Sequence, residues 1–86
     1  MKRIDRILDQ MKRSPDNVRF SDLRSVCDHF FGSPRQGGTS HCIYKTPWPG
    51  FPNVNIQENQ GMAKPYQVRQ VLTAIDKLEN IHETEN

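Results

Sequence analysis

The middle of this chain cannot be helical. All 5 glycines and 4 of the 6 prolines fall between Gly32 and Lys64. Glycine loses the most backbone freedom in a helix, and proline lacks the N–H that the helical ladder needs. Between these breakers the residues are largely β-branched, aromatic or small, so short strands joined by turns are the only regular structure open to the stretch. Residues 40–46 (Ser-His-Cys-Ile-Tyr-Lys-Thr) read as a strand. Residues 53–57 (Asn-Val-Asn-Ile-Gln) alternate polar and apolar without a fault, the pattern of a half-buried strand. Pro47-Trp48-Pro49-Gly50-Phe51-Pro52 between them must be a loop, because alternate prolines deny a ladder its donors. A shorter strand at residues 33–36 completes the set.

Both flanks have the helical period instead. Ile4, Ile7, Leu8 and Met11 make one stripe of a helix over residues 3–12. Ser14-Pro15-Asp16-Asn17 ends it, since proline cannot continue the ladder and its neighbours favour turns. A second helix is expected to open at Ser21 as N-cap, with Asp22 in its first turn and Phe20 stapled onto it. Leu23, Val26, Cys27, Phe30 and Phe31 form its apolar face, and Gly32 supplies the stop. The last helix starts at Pro65 and runs its stripe through Val68, Val71, Leu72, Ile75 and Leu78. After Glu79 the periodicity is gone, so a frayed acidic tail is expected from about residue 80. Helix, helix, two or three antiparallel strands and helix imply a two-layer α+β domain with one sheet face covered and the other bare.

At 86 residues the chain makes one domain. Its mean hydropathy of −0.82 goes with a thin core, which leaves chemistry to an open face. The opening Met1-Lys2-Arg3-Ile4-Asp5-Arg6 is too charged for an export signal, and no apolar run approaches the ~18 residues that span a bilayer. A cytoplasmic protein with reduced thiols at Cys27 and Cys42 is therefore expected. The net charge of +2 does not announce a polyanion partner. Its distribution says more: Arg35, Lys45, Lys64 and Arg69 face only Glu58 between residues 35 and 69, while Asp76, Glu79, Glu83 and Glu85 collect at the end.

His41 is the foremost chemical candidate. It follows Gly37-Gly38-Thr39-Ser40, where glycines allow close backbone approach and the two hydroxyls can meet a phosphate oxygen. An imidazole can take a proton from a ribose 2′-hydroxyl or return one to a leaving oxygen. Strand alternation puts His41, Ile43 and Lys45 on one face and Cys42 and Tyr44 on the other, and leaves open which face is inside. Arg35, Lys45, Lys64 and Arg69 could grip phosphates; Tyr44, Trp48 and Tyr66 could stack on a base, although Trp48 suits packing over the sheet edge better. Cys27, His29, His41 and Cys42 have the ligand types of a zinc site but not its spacing, since each pair points two ways on its helix or strand. Acidic residues are missing around His41, so no metal or other cofactor is expected there.

Phe20-Ser21-Asp22-Leu23, Phe31-Gly32, Arg35, residues 38–47 (Gly-Thr-Ser-His-Cys-Ile-Tyr-Lys-Thr-Pro), Val54-Asn55-Ile56-Gln57 and residues 64–72 (Lys-Pro-Tyr-Gln-Val-Arg-Gln-Val-Leu) together resemble the HicA toxin family. The likeness runs from about Val18 to Glu79, which makes residues 1–17 an N-terminal helical extension to a domain over residues 18–86. It implies a fold like a double-stranded-RNA-binding domain, helix-strand-strand-strand-helix, carrying an extra first helix. It also implies an mRNA interferase of a type II toxin–antitoxin pair, silenced by a HicB-like antitoxin, with the required histidine matching His41. Cys42 departs from the pattern, where a second His or an Arg is frequent. The mechanism to expect is metal-independent attack of a 2′-hydroxyl on the adjacent phosphate, with His41 as acid and base. Lys45, Lys64 or Arg35 would offset the phosphoryl charge, Thr39 and Ser40 would add donors, and Tyr44 or water would be the auxiliary acid. The rival expectations are a binding module that holds RNA without cutting it and a protein-interaction adaptor.

Overall fold

The computed structural model describes residues 3–34, 36, 37, 41–47 and 53–85, with the backbone alone at 36, 37 and 81–85. The elements run α1 (Arg3–Arg13), α2 (Phe20–Phe31), β1 (Gln36–Gly37), β2 (His41–Lys45), β3 (Asn53–Asn59), β4 (Met62–Ala63) and α3 (Pro65–Glu85). The strands form one antiparallel sheet in the order β1-β2-β3-β4. The described residues thus make an α+β protein of three helices and one antiparallel sheet, as the periodicities require.

One core holds it together. Cys42 and Tyr44 of β2 and Val54 and Ile56 of β3 turn inward against Leu23, Val26 and Cys27 of α2 and Val68, Val71 and Ile75 of α3. Ile7 and Met11 of α1 belong to that same core, Met11 with no exposure at all. The opposite sheet face, with His41, Lys45, Asn53 and Asn55, is exposed. The strand alternation is thereby resolved: the aromatic ring goes in and the imidazole out.

Several boundaries differ from expectation. Ser21 is not the cap of α2; the helix begins at Phe20, and Arg19 caps it without a side-chain hydrogen bond. The reason is tertiary. The Phe20 N–H is held by the Gly61 carbonyl, the Ala63 N–H by the Val18 carbonyl, and Arg19 bridges to Met62, so the chain is extended up to Arg19 and turns helical at once. Gly32 does close α2, at φ 82°, with its N–H on the Asp28 carbonyl. The strand expected at 33–36 lies instead at Gln36–Gly37, and β4 was not anticipated. The β3–β4 hairpin pairs Asn59 with Met62 across Gln60 and Gly61. Both turn residues have positive φ, 54° and 81°, the geometry whose twist matches a two-residue hairpin. α3 does not stop at Glu79 but keeps its helical backbone to Glu85, because no Gly or Pro intervenes to break it. No helix among the described residues is long and apolar enough to cross a membrane.

Candidate functional site

The register of β2 on β3 sets out the open face in rows: His41 opposite Gln57, Ile43 opposite Asn55, and Lys45 opposite Asn53. The Gln57 N–H points away from β2, donating instead to Oε1 of Gln67 at 2.7 Å. In an antiparallel ladder a residue's N–H and C=O turn to the same side, so His41–Gln57 is a non-hydrogen-bonded pair. Alternation makes the other two rows non-hydrogen-bonded as well, and in such pairs the side chains stand closest. Gln57 is therefore the nearest neighbour of His41 on β3.

Gln57 also holds a cation. Its Oε1 accepts a hydrogen bond from Nζ of Lys64 at 2.9 Å. Lys64 sits immediately before α3, whose first turn it closes through its own carbonyl, to which Gln67 and Val68 donate their N–H groups. Pro65 then fills the position where a missing N–H is harmless. Thus the backbone that starts α3 fixes Lys64, and the carboxamide of Gln57 steers its ammonium toward the row of His41. Gln67, 4% exposed, locks the other side of Gln57. The cluster is imidazole, carboxamide and ammonium, with no carboxylate in any of the three rows.

The remaining candidates are distributed as follows. Lys45 shares the face of His41 but lies four residues along β2, about 14 Å at ~3.4 Å per residue. Tyr66, 52% exposed, stands in the first turn of α3, two positions from Lys64, with its ring open to solvent. Arg69 is exposed on α3 and pairs with Asp16 at 3.5 Å, apart from the His41 row. Arg35, Thr39, Ser40 and Trp48 lie outside the described residues.

Tyr44 requires a correction. Rather than stacking on a base or serving as an auxiliary acid, it is fully buried, the largest such side chain in the core. Its hydroxyl donates to Oδ1 of Asp28 at 2.6 Å, and its ring lies 6.4 Å from that of Phe31. Burial, reinforced by the Asp28 hydrogen bond, raises the pKa of the phenol far above its ordinary value. A group so placed neither reaches the open face nor gives up its proton.

The four residues with zinc-ligand chemistry are split between core and surface. The thiols of Cys27 and Cys42 are buried, whereas His29 and His41 are exposed. Burial, with help from the nearby charge of Asp28, pushes the Cys27 thiol well up. Among the described residues no three His, Cys, Asp or Glu side chains converge.

Gln57 and Gln67 were not singled out from sequence. The alternation at residues 53–57 does put Gln57 on the polar face, but only the register places it opposite His41. Gln67 borders the apolar stripe of α3, and nothing in its sequence neighbourhood points at a strand ten residues back. No family model, curated protein or solved structure matches the chain.

Proposed function

We propose that this chain is a HicA-like toxin, a metal-independent endoribonuclease that uses His41. The observation that carries the proposal is the pairing of His41 with Gln57, whose carboxamide holds the Lys64 ammonium at 2.9 Å, on a sheet face that none of the described helices covers. A phosphodiester laid across this row meets a proton acceptor and a cation together. His41 takes the proton of a ribose 2′-hydroxyl, the oxygen attacks the adjacent phosphorus, and the bond to the 5′-oxygen of the next nucleotide breaks. The leaving oxygen receives its proton from the His41 imidazolium or from water, Tyr44 being out of reach. Lys64 offsets the charge that grows on the non-bridging oxygens. Exposed Tyr66, beside Lys64, offers a face on which a base can stack.

The proposal extends to the double-stranded-RNA-binding-domain-like fold, read as α2-β1-β2-β3-α3 preceded by α1. It also covers action on mRNA in the cytoplasm and silencing by a HicB-like antitoxin that covers the open face. The order of elements is compatible with that fold. The open rows contain amides, a lysine and one isoleucine but no carboxylate to hold a divalent ion, which favours chemistry carried by the imidazole.

The test is His41→Ala. Its side chain is exposed, so stability should change by no more than about 0.5 kcal/mol. RNA cleavage and growth arrest on expression should both disappear. If RNA binds equally to wild type and variant and neither cuts it, the protein is a binding module. If neither form binds RNA, the nucleic-acid reading fails and a protein partner remains.

A further inference from the structure

We infer that the carboxamide ladder of β3, continued by the groove between β3 and α3, holds the nucleotides of a single RNA strand that flank the cleaved bond; this rests on reading His41 as an RNA-cleaving residue. Gln57, Asn55 and Asn53 stand at every second position of β3 and share the face of His41, Ile43 and Lys45. The ladder is about 14 Å long at ~3.4 Å per residue. Each carboxamide offers two donors and an acceptor, which suits 2′-hydroxyls, phosphate oxygens and exposed base edges alike. Lys64 stands at the His41 end of the ladder and Lys45 at the other, so the amides are bracketed by cations.

Beyond Asn53 the ladder does not simply stop. A groove of about 540 Å³ opens there, with Asn53 and Asn55 on one wall and Arg69, Gln70, Thr73 and Lys77 of α3 on the other. The same alternation that turns the Gln57 N–H out to Gln67 turns the N–H groups of Asn53 and Asn55 toward this wall. Among the described residues no carboxylate lines the groove. Arg69 is engaged by Asp16 at 3.5 Å, but both side chains are exposed, and such pairs yield readily to a competing phosphate. Charge and donors thus favour an anionic chain. A track that follows one strand and then drops between that strand and a helix suits a flexible single strand. An A-form duplex keeps its base edges paired and presents a rigid surface to its partners.

Binding is tested with fluorescein-labelled uridine oligomers, 2′-O-methylated throughout so that they cannot be cut, as a tetranucleotide and an octanucleotide, beside an RNA duplex of octanucleotide length. The octanucleotide should bind at least about tenfold more tightly than the tetranucleotide, roughly one good nucleotide contact, and more tightly than the duplex. Asn55→Ala combined with Gln70→Ala should abolish that gain, and Arg69→Glu on the other wall should do the same. All three residues are exposed, and thermal unfolding verifies that the variants fold. Equal affinity for both lengths, a duplex bound as tightly, or a gain that survives in both variants overturns the track and leaves the groove to a protein strand. The two proposals fail separately. Cleavage that depends on His41 without a length effect removes the track alone, whereas a length effect without cleavage removes the catalytic reading and leaves the track as a site that binds a single strand without cutting it.

Discussion

Replacing Tyr44 with Phe separates a core residue from a catalytic one. The substitution deletes one hydroxyl, which donates to Oδ1 of Asp28 at 2.6 Å and lies 3.5 Å from the Arg24 carbonyl, too long to count for much. A hydrogen bond to a charged group contributes about 1.5–3 kcal/mol. Asp28 is exposed, so water can resolvate its carboxylate once the phenol is gone, which lowers the cost to about 1 kcal/mol. For a domain of this size that loss lowers Tm by about 4–8 °C. The ring keeps its packing against Phe31 and the fold survives. Cleavage of a reporter RNA should stay within about twofold of wild type, because general acid–base catalysis contributes about 10²–10⁴-fold and its loss could not be missed. The alkaline limb gives a second readout. Below the ordinary phenol value of 10.0 both the folded and unfolded chains keep the proton; above it the unfolded chain sheds it while the folded one holds it, so stability falls as pH rises. Tyr44→Phe should flatten that fall. A hundredfold loss of cleavage in a variant that still folds would refute the placement of Tyr44 in the core.

Three further outcomes follow from the packing. Gln67→Leu leaves the Gln57 N–H without its acceptor, which should cost about 1–3 kcal/mol in urea unfolding and reduce cleavage, while Gln67→Glu, which keeps an acceptor, should restore much of both. Cys27 is buried with a raised pKa, so the native protein should resist iodoacetamide and become labelled in denaturant; labelling of native Cys27 at the rate of an exposed thiol would contradict its burial. Met11→Ala should destabilise by about 2–5 kcal/mol against at most about 0.5 for Lys12→Ala, since α1 contributes to the one core; equal effects by calorimetry would make α1 an appendage.

Those features of the fold that depend on local periodicity were legible in the sequence. The stripes of α1 and α3, the Gly32 stop and the alternation of β3 required nothing beyond their own residues. Where local signals competed, contacts distant in sequence decided. Ser21 is a better cap than Arg19 by chemistry, but the hairpin at Gly61 holds the chain extended through Arg19 and moves the cap two residues earlier. In β2, Ile43 and the pair Cys42 and Tyr44 are nearly matched in hydrophobicity, and the face is settled by the register with β3, which sets Cys42 opposite buried Ile56 and Tyr44 opposite buried Val54, with Asp28 of α2 accepting from the Tyr44 hydroxyl. Two residues of β4 are too few for any pattern to register. At the candidate site, His41 and Lys64 stood out by residue type. Their association through Gln57 and its lock by Gln67 depend on strand register and on where α3 begins, which no spacing in the chain encodes.

The chemistry of the cut ends tests the account most directly. Purified protein and single-stranded RNA are incubated with excess EDTA, beside the His41→Ala variant, and the products are analysed by mass spectrometry and by their acceptance of a 5′-label. Attack by the neighbouring 2′-hydroxyl predicts a 2′,3′-cyclic phosphate and a 5′-hydroxyl from the wild type in EDTA, and no products from the variant. A 5′-phosphate on the downstream fragment, cleavage abolished by EDTA, or undiminished cleavage by His41→Ala would contradict it.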